Sequence, residues 1–146
     1  MASASRRPVL LELAVANSLA SQIFTRELLR AGYPPTQVGM LTLIEIHGPI
    51  TPSGLEAETG IPKTTVRGRV QGLHRAGLVR RTPNKADRRS HFLEITPKGR
   101  KFLEAMQPVL GAAEKAIEGE LGVSLEEYRD PLERLRKANR ALLSRD

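Results

Sequence analysis

The side chains of this sequence that could do chemistry are cationic, and they are concentrated in one short segment. Residues 61–91 carry nine Lys or Arg side chains and one acid, Asp87, so this segment has a net charge of +8. The nine cations are Lys63, Arg67, Arg69, Arg75, Arg80, Arg81, Lys85, Arg88 and Arg89. The rest of the chain sums to −1, so the segment accounts for the net charge of +7. Positive charge clustered in this way is the electrostatic footprint expected of a protein that binds a polyanion.

Other kinds of chemistry find little support in the residue types. The chain has no cysteine, which excludes disulfides, thiolate zinc sites and thiol redox sensing. The histidines His47, His74 and His91 are scattered, with no serine or carboxylate at a suggestive spacing. No glycine-rich phosphate loop follows a strand. The sequence therefore predicts a binding protein rather than an enzyme, with no cofactor and no metal.

The pattern of apolar residues places the cationic segment on a helix followed by a hairpin. Val66, Val70 and Leu73 recur at helical spacing, which predicts a helix over residues 62–76 that begins with Pro62 and is stopped by Gly77. Residues 78–81 and 92–95 are predicted to be two strands, joined by a turn-rich cationic loop. Upstream, Thr51 is predicted to cap a short helix that ends at Gly60. Helix, turn, helix and a two-stranded wing form a winged helix-turn-helix.

Three stretches of the chain carry a more specific signature. The first is Asp87-Arg88-Arg89 followed by Leu93, Ile95, Thr96 and Gly99; the second runs over residues 73–81, LHRAGLVRR; the third runs from Gly32 through Ile44. These stretches resemble the wing, the end of the recognition helix and the segment before the DNA lobe of the MarR family (multiple-antibiotic-resistance regulators). The resemblance covers roughly residues 10–143. It implies a fold that is mainly α with a small β-hairpin wing (α+β).

The resemblance also implies how the chain is organised. One MarR-type domain over residues 1–146 is expected, with a winged helix-turn-helix lobe over 35–97 and a helical dimerisation region over 8–31 and 98–143. Residues 1–7 are predicted to be a loose basic arm, and residues 35–47 a helix. Thr96 and Pro97 are predicted to start the next long helix, in which Pro108 should produce a kink. Ser124 and Glu127 are predicted to form a capping box, and the last helix either restarts or bends at Pro131.

The first and last helices carry apolar stripes that must be buried against something. One interpretation is packing within a single chain. The other, which the resemblance implies, is a homodimer made by the two ends of each subunit. Two symmetric DNA lobes would then bind double-stranded DNA at a palindromic operator, with half-sites about one helical turn apart.

Helical geometry selects the side chains that could touch DNA. With Val66 at the centre of the buried face, Thr64, Gly68, Gln71 and Arg75 point away from the core. The predicted DNA contacts of the recognition helix (62–76) are Lys63, Thr64, Thr65, Arg67, Arg69 and Gln71. The alternative for each of them is a solvated surface side chain. Gly68 departs from the family pattern, in which a longer residue is common. Either a close approach of the helix backbone to DNA or sequence drift at a non-critical position would account for the glycine.

The wing (82–91) supplies the other predicted contacts. Arg89 matches the position that resembles the family's minor-groove arginine, and a narrow groove concentrates the negative potential that a guanidinium probes. Arg88 is expected either to bind DNA beside Arg89 or to have a structural role in the loop. Asp87 is predicted to stabilise the wing, by orienting a nearby arginine and by stiffening the loop. Of Arg80 and Arg81, one is expected to reach phosphate and the other to be structural.

The family resemblance implies a cavity between the dimer helices and the DNA lobe that takes a small aromatic acid or phenol. The candidate ligand contacts are Asn17, Ser21 and His47, with a hydrogen bond in the dimer seam as the alternative for Asn17. The predicted function is a ligand-responsive repressor, and the alternative is an effector-independent architectural DNA-binding protein or an activator. No apolar run is long enough for a membrane span and no signal peptide is recognised, so a cytoplasmic protein with no membrane partner is expected.

Overall fold

The computed structural model of the protein describes residues 8–145, so the predicted arm over residues 1–7 lies outside the described residues. The helices are α1 (Val9–Arg30), α2 (Pro35–His47), α3 (Pro52–Thr59), α4 (Lys63–Arg75), α5 (Pro97–Leu121) and α6 (Arg129–Leu143), with a short 3-10 helix over Leu125–Tyr128. The strands β1 (Val79–Pro83) and β2 (His91–Ile95) form one antiparallel hairpin. The predicted fold class, mainly helical with a small two-stranded wing, is confirmed.

The core lies mainly in the DNA lobe, with contributions from α1 and α5, and uses the predicted face of α4. Val66, Val70 and Leu73 are at most 1% exposed, and α4 packs against both α2 and α3. The other fully buried side chains are Leu28, Val38, Met40, Leu41, Ile44, Leu55 and Leu93. Burying each such aliphatic side chain stabilises the fold by about 1.5–3 kcal/mol. The opposite face of α4 is thereby left free for solvent or a ligand.

Two predicted helix caps are present, and one predicted helix start is wrong. The Thr51 hydroxyl accepts from the Gly54 amide at 3.0 Å and starts α3, and the Thr96 hydroxyl accepts from the Gly99 amide at 3.1 Å and starts α5. Helix α4 begins at Lys63 rather than at Pro62, which stands before it as the cap residue. Because Pro62 has no side-chain acceptor, the Glu56 carboxylate supplies one and accepts from the Lys63 amide at 3.1 Å.

Both strands of the hairpin reach further toward the connecting loop than predicted, and β2 begins at His91 rather than at residue 92. β1 spans Val79–Pro83 instead of 78–81, and its register pairs Val79 with Ile95 and Pro83 with His91. Pro83, predicted to lie in the turn-rich loop, is the last residue of β1, where an edge strand tolerates a residue without an N–H donor. The link before α3 joins the wing, since Ile50 and Leu93 exchange backbone hydrogen bonds of 3.2 and 2.8 Å.

The C-terminal helices differ from expectation at Ser124. Its hydroxyl accepts from the amide of Glu126, not of Glu127, and it starts a 3-10 helix, so the predicted capping box does not form. Helix α6 restarts at Arg129 and holds Pro131 in its first turn, where the missing N–H has no helical partner in any case. Helix α5 continues through Pro108 without a break, and the kink stays a prediction.

The two ends of the described chain leave their apolar side chains exposed. Leu28 is the one buried residue of α1, and none of α6 is buried. Exposed apolar side chains on these helices are Val9, Leu10, Leu11, Val15, Leu19, Leu29, Leu132, Leu142 and Leu143. None of the helices in residues 8–145 is long and apolar enough to cross a bilayer.

Candidate nucleic-acid interface

A groove of about 650 Å³ runs between the exposed face of α4 and the wing. Its walls carry four cations and one acid, Asp87. The lining residues are Pro52, Ser53, Lys63, Arg67, Gly68, Val70, Gln71, Arg81, Asp87, Arg89, Ser90, His91 and Leu93. A cationic groove beside a helix with an open face suits the phosphate backbone of a nucleic acid.

The structure brings together some of the predicted contacts and separates others. Lys63, Arg67, Gln71 and Arg89 line the groove. Thr64, Arg69 and Arg88 are exposed and lie outside it, and Thr65 is half-buried. The groove therefore unites the two ends of the cationic segment, which are far apart in sequence.

Most cations of this segment have no acidic partner. Within the described residues, Arg80 is the one member of the nine that forms an ion pair; its partner is Glu94, directly opposite on β2, with nitrogen–oxygen distances of 2.6 and 2.8 Å. Arg81 lies beside it and lines the groove. Arg80 is thus held by an ion pair, whereas Arg81 lies on the groove wall, and which of the two reaches phosphate stays a prediction. Unpaired guanidinium groups on a surface keep their full charge available for an anion.

Backbone hydrogen bonds shape the tip of the wing. The Asp87 carboxylate accepts from the Arg89 amide at 3.0 Å, and the Asp87 carbonyl accepts from the Ser90 amide at 3.0 Å. The Asn84 side chain accepts from the Ala86 amide at 3.0 Å and donates to the Ser90 hydroxyl at 2.9 Å. Asp87 therefore ties the loop backbone together, in line with the predicted stiffening, whereas the described residues show no contact in which it orients an arginine side chain.

Sequence reasoning missed three polar residues of the groove: Ser53, Ser90 and His91. Ser53 lies in the first turn of α3, and amides at a helix start favour anions. That signal was present in the sequence. His91 and Ser90 gave no comparable signal, because their position depends on how the hairpin folds back toward α4.

The end of the recognition helix is fastened to the start of α5. Lys98 Nζ donates to the Ala76 carbonyl at 2.8 Å, and the Thr96 hydroxyl donates to the Gly77 carbonyl at 2.6 Å. A Cβ atom on Gly99 would collide with the Leu78 carbonyl, so glycine is required for this close approach. The ammonium group also neutralises the negative end of the α4 dipole. These hydrogen bonds link the segment that ends α4 to the first turn of α5.

Two glycines lie inside the continuous recognition helix without a packing reason in this chain. A Cβ atom built on Gly68 or on Gly72 would have no neighbour within 4 Å. Each glycine costs a helix about 1 kcal/mol relative to alanine. Gly68 is exposed and lines the groove together with Arg67 and Gln71.

A second groove, of about 810 Å³, lies between α1, α3 and α6. Its walls are mainly apolar, and Asn17 lines it, whereas Ser21 and His47 lie outside it. At its edge the Glu58 carboxylate of α3 accepts from Arg140 and, at 3.5 Å, from Arg136. These ion pairs join α6 to the DNA lobe. The structure does not bring the three candidate ligand contacts together.

Metal chemistry has no site in the described part of the chain, where no group of three or more His, Asp or Glu side chains could hold a metal ion.

Comparison with known sequences finds one family. A model of the MarR family matches residues 31–90, from before α2 to the end of the wing loop. YdgG of Bacillus subtilis, an uncharacterized HTH-type transcriptional regulator, is 31% identical over 83 residues, which are 56% of this chain and 55% of YdgG. NicR of Pseudomonas putida, an HTH-type transcriptional repressor, is 35% identical over 75 residues, which are 50% of this chain and 48% of NicR. The matches span about half the length of these relatives.

Solved structures extend the likeness over nearly the whole chain. The transcriptional regulator MOSR of M. tuberculosis, in complex with DNA, has a TM-score of 0.70 at 26% identity, covering 93% of this chain and 98% of that one. BpsR of Bordetella bronchiseptica, whose DNA binding is regulated by 6-hydroxynicotinic acid, has a TM-score of 0.70 at 24% identity, covering 92% of this chain and 95% of that one. The likeness to BpsR concerns the fold alone.

Proposed function

We propose that the chain is a member of the MarR family, since a model of that family matches residues 31–90, and that it is a dimeric, ligand-responsive transcriptional regulator. It binds double-stranded DNA at a palindromic operator through α4 and the wing. It acts as a repressor and is released by a small aromatic acid or phenol. NicR is named as a repressor, which favours this sign of regulation over an activator.

The observation that carries the DNA-binding proposal is the cationic groove between α4 and the wing. Its cations come from both elements, as they must if the recognition helix enters a major groove while the wing reaches the neighbouring backbone. Within this proposal Arg67 and Gln71 read base edges, and Lys63 and Arg81 bind phosphate. Arg89 enters the minor groove, and Thr64, Thr65, Arg69 and Arg88 contact the backbone at the edge of the interface.

The exposed apolar faces of α1 and α6 support a homodimer. Leu10, Leu19 and Leu142 are 72%, 55% and 60% exposed, and exposed apolar side chains gathered on one region of a protein mark an interaction site. Two copies of this chain, each contributing α1 and α6, would cover both faces and set the distance between two DNA lobes. The described dimerisation region is therefore proposed to comprise residues 8–31 and 98–143.

The groove between α1 and α6 supports the ligand proposal. Its leucine walls suit an aromatic ring, and the guanidinium groups of Arg136 and Arg140 suit a carboxylate that competes with Glu58. Of the three candidate contacts, Asn17 is retained in this site. The regulation of BpsR by an aromatic acid supports the ligand class.

DNA selection tests the core of the proposal. The protein is used to select duplexes from a random-sequence library, and its affinity for the selected duplex is measured at several salt concentrations. The expected result is an inverted repeat, bound with a logarithmic salt slope several times the roughly −0.9 that one phosphate contact contributes. A slope near that of one contact, or no selected sequence, would contradict the assignment of this groove to DNA.

Linkage tests the ligand. An aromatic acid that releases the operator must bind more weakly in the presence of operator, by the same factor by which it weakens operator binding. 6-Hydroxynicotinic acid and salicylate are suitable first probes, titrated with and without the selected duplex. Equal affinities in the two titrations would favour the effector-independent, architectural alternative.

A further inference from the structure

The fold requires glycine at seven positions of this chain and does not require it at five others. Four adopt a left-handed conformation, and three lie where a Cβ atom would press against neighbouring atoms. The first four are Gly32, Gly60, Gly77 and Gly122, and the other three are Gly48, Gly54 and Gly99. The remaining five lie inside helices where a Cβ atom would have no neighbour within 4 Å: Gly39, Gly68, Gly72, Gly111 and Gly119. The fold of a single chain gives no reason for glycine at these five positions.

Two of the five lie one helical turn apart on the recognition helix. Gly68 is about 200° round the helix from the buried Val66, which is close to the outermost point of the exposed face. Gly68 also lines the groove, and Gly72 continues the same Cβ-free strip toward the end of α4. The strip is flanked by longer side chains, Arg67 and Gln71, on one side.

Resting on the proposed function, we propose that Gly68 determines operator specificity by letting the backbone of α4 approach the floor of the major groove. The major groove is about 12 Å wide and a helix with its side chains is about 10–12 Å across, so the depth of entry is limited by side chains on the leading edge. With no Cβ atom at the leading edge, the backbone itself makes the contact. Arg67 and Gln71 then reach base edges from a helix seated closer to them.

The proposal predicts that Gly68→Ala raises the thermal stability of the protein and lowers its affinity for the selected duplex. Gly68→Ala replaces a poor helix former by the best one at a position with free space, so it should raise the Tm, by roughly 3 °C for a chain of this size. The same methyl group should lower affinity for the selected duplex by about tenfold or more, the worth of one well-made base contact. It should leave affinity for a random-sequence duplex within about twofold, because that binding depends on charge.

Gly39→Ala is the matched control. Gly39 is also inside a helix with free space around its Cβ position, but it lies on α2 and outside the groove. It should raise the Tm by a similar amount and leave both affinities within about twofold. Thermal melting and titration of the selected and random duplexes at one salt concentration measure all these quantities.

The outcomes separate this inference from the function on which it rests. If the wild-type protein selects a duplex and Gly68→Ala binds it as tightly as the wild type, the glycine has no specificity role and the inference is wrong. A parallel loss with Gly39→Ala would likewise overturn it, since the effect would then come from helix stiffening. If the wild-type protein selects no duplex at all, the proposed function itself has failed.

Discussion

The DNA lobe and the helical arms (α1, the C-terminal half of α5, and α6) treat apolar side chains in opposite ways. In the lobe, Leu41, Leu55 and Leu73 are fully buried around α2, α3 and α4. In the arms, Leu10 and Leu143 are more than two-thirds exposed. Both regions have helical stripes, yet only the lobe buries its stripe within the chain. An amphipathic pattern therefore specifies that a face will be covered, but not whether the same chain covers it.

The largest expected effect separates the two kinds of leucine. Leu73→Ala opens a cavity in the lobe and should lower the free energy of unfolding by about 2–5 kcal/mol. Its matched partner, Leu19→Ala, removes an exposed arm side chain, so its effect should be smaller and should depend on protein concentration. Denaturant unfolding of both variants at two concentrations measures the difference. Equal, concentration-independent losses would mean that Leu19 is buried within its own chain.

The next effect concerns assembly. The full chain should have a solution mass about twice 16.1 kDa, and Leu19→Asp should shift it toward a monomer because a carboxylate cannot be buried unpaired in an apolar interface. Light scattering gives the masses, and titration of the selected duplex should show a loss of tight binding. A full chain that stays monomeric at tens of micromolar would remove the dimer from the proposal.

A smaller effect distinguishes two neighbouring arginines of the wing. Arg89→Ala should weaken binding to the selected duplex by at least about tenfold, because the groove-lining guanidinium is lost twice in a dimer. Arg88→Ala, which alters the same charge outside the groove, should have a clearly smaller effect. Titrations at one salt concentration compare them. A change under about threefold for Arg89→Ala, or equal changes for both, would count against a groove role.

The smallest effect is expected in the β-hairpin. Glu94→Gln removes the acidic partner of Arg80 on a half-exposed strand pair, so the loss of stability should be about 1 kcal/mol or less. Affinity for a random duplex should stay the same or rise slightly, since Arg80 gains a free charge. Thermal melting and duplex titration test both points. A loss of several kcal/mol would show that the pair supports the whole wing.

The features that were predicted correctly from the sequence are those determined by residues close together in the chain. The caps at Thr51 and Thr96 and the buried face of Val66, Val70 and Leu73 depend on spacings of three or four residues, and the structure has all of them. The boundary at Pro83 was wrong because an edge strand tolerates proline at its end. The capping box at Ser124 was wrong because a 3-10 helix satisfied the same hydroxyl one residue earlier.

Contacts between distant parts of the chain were beyond local rules. Glu58 meets Arg136 and Arg140 across 78 and 82 residues, and no periodicity relates them. In the candidate site, too, local features were predicted from the sequence and long-range contacts were not. The cations of α4 and the wing were found from charge density, whereas the membership of Ser90 and His91 in the groove required the hairpin to be placed against α4.

Because the end of α4 is hydrogen-bonded to the start of α5, a tilt of the long helix α5 would move α4. At about 1.5 Å per residue, the 25 residues of α5 span about 37 Å, with the recognition helix pinned at one end through Lys98 and Thr96. A tilt of about 5° about the far end would displace the pinned end by about 3 Å, close to the roughly 3.4 Å rise of one base pair. If α4 binds DNA as proposed, a small angular change among the arms would shift α4 by about one base-pair step, although the cause of the tilt lies far from the DNA.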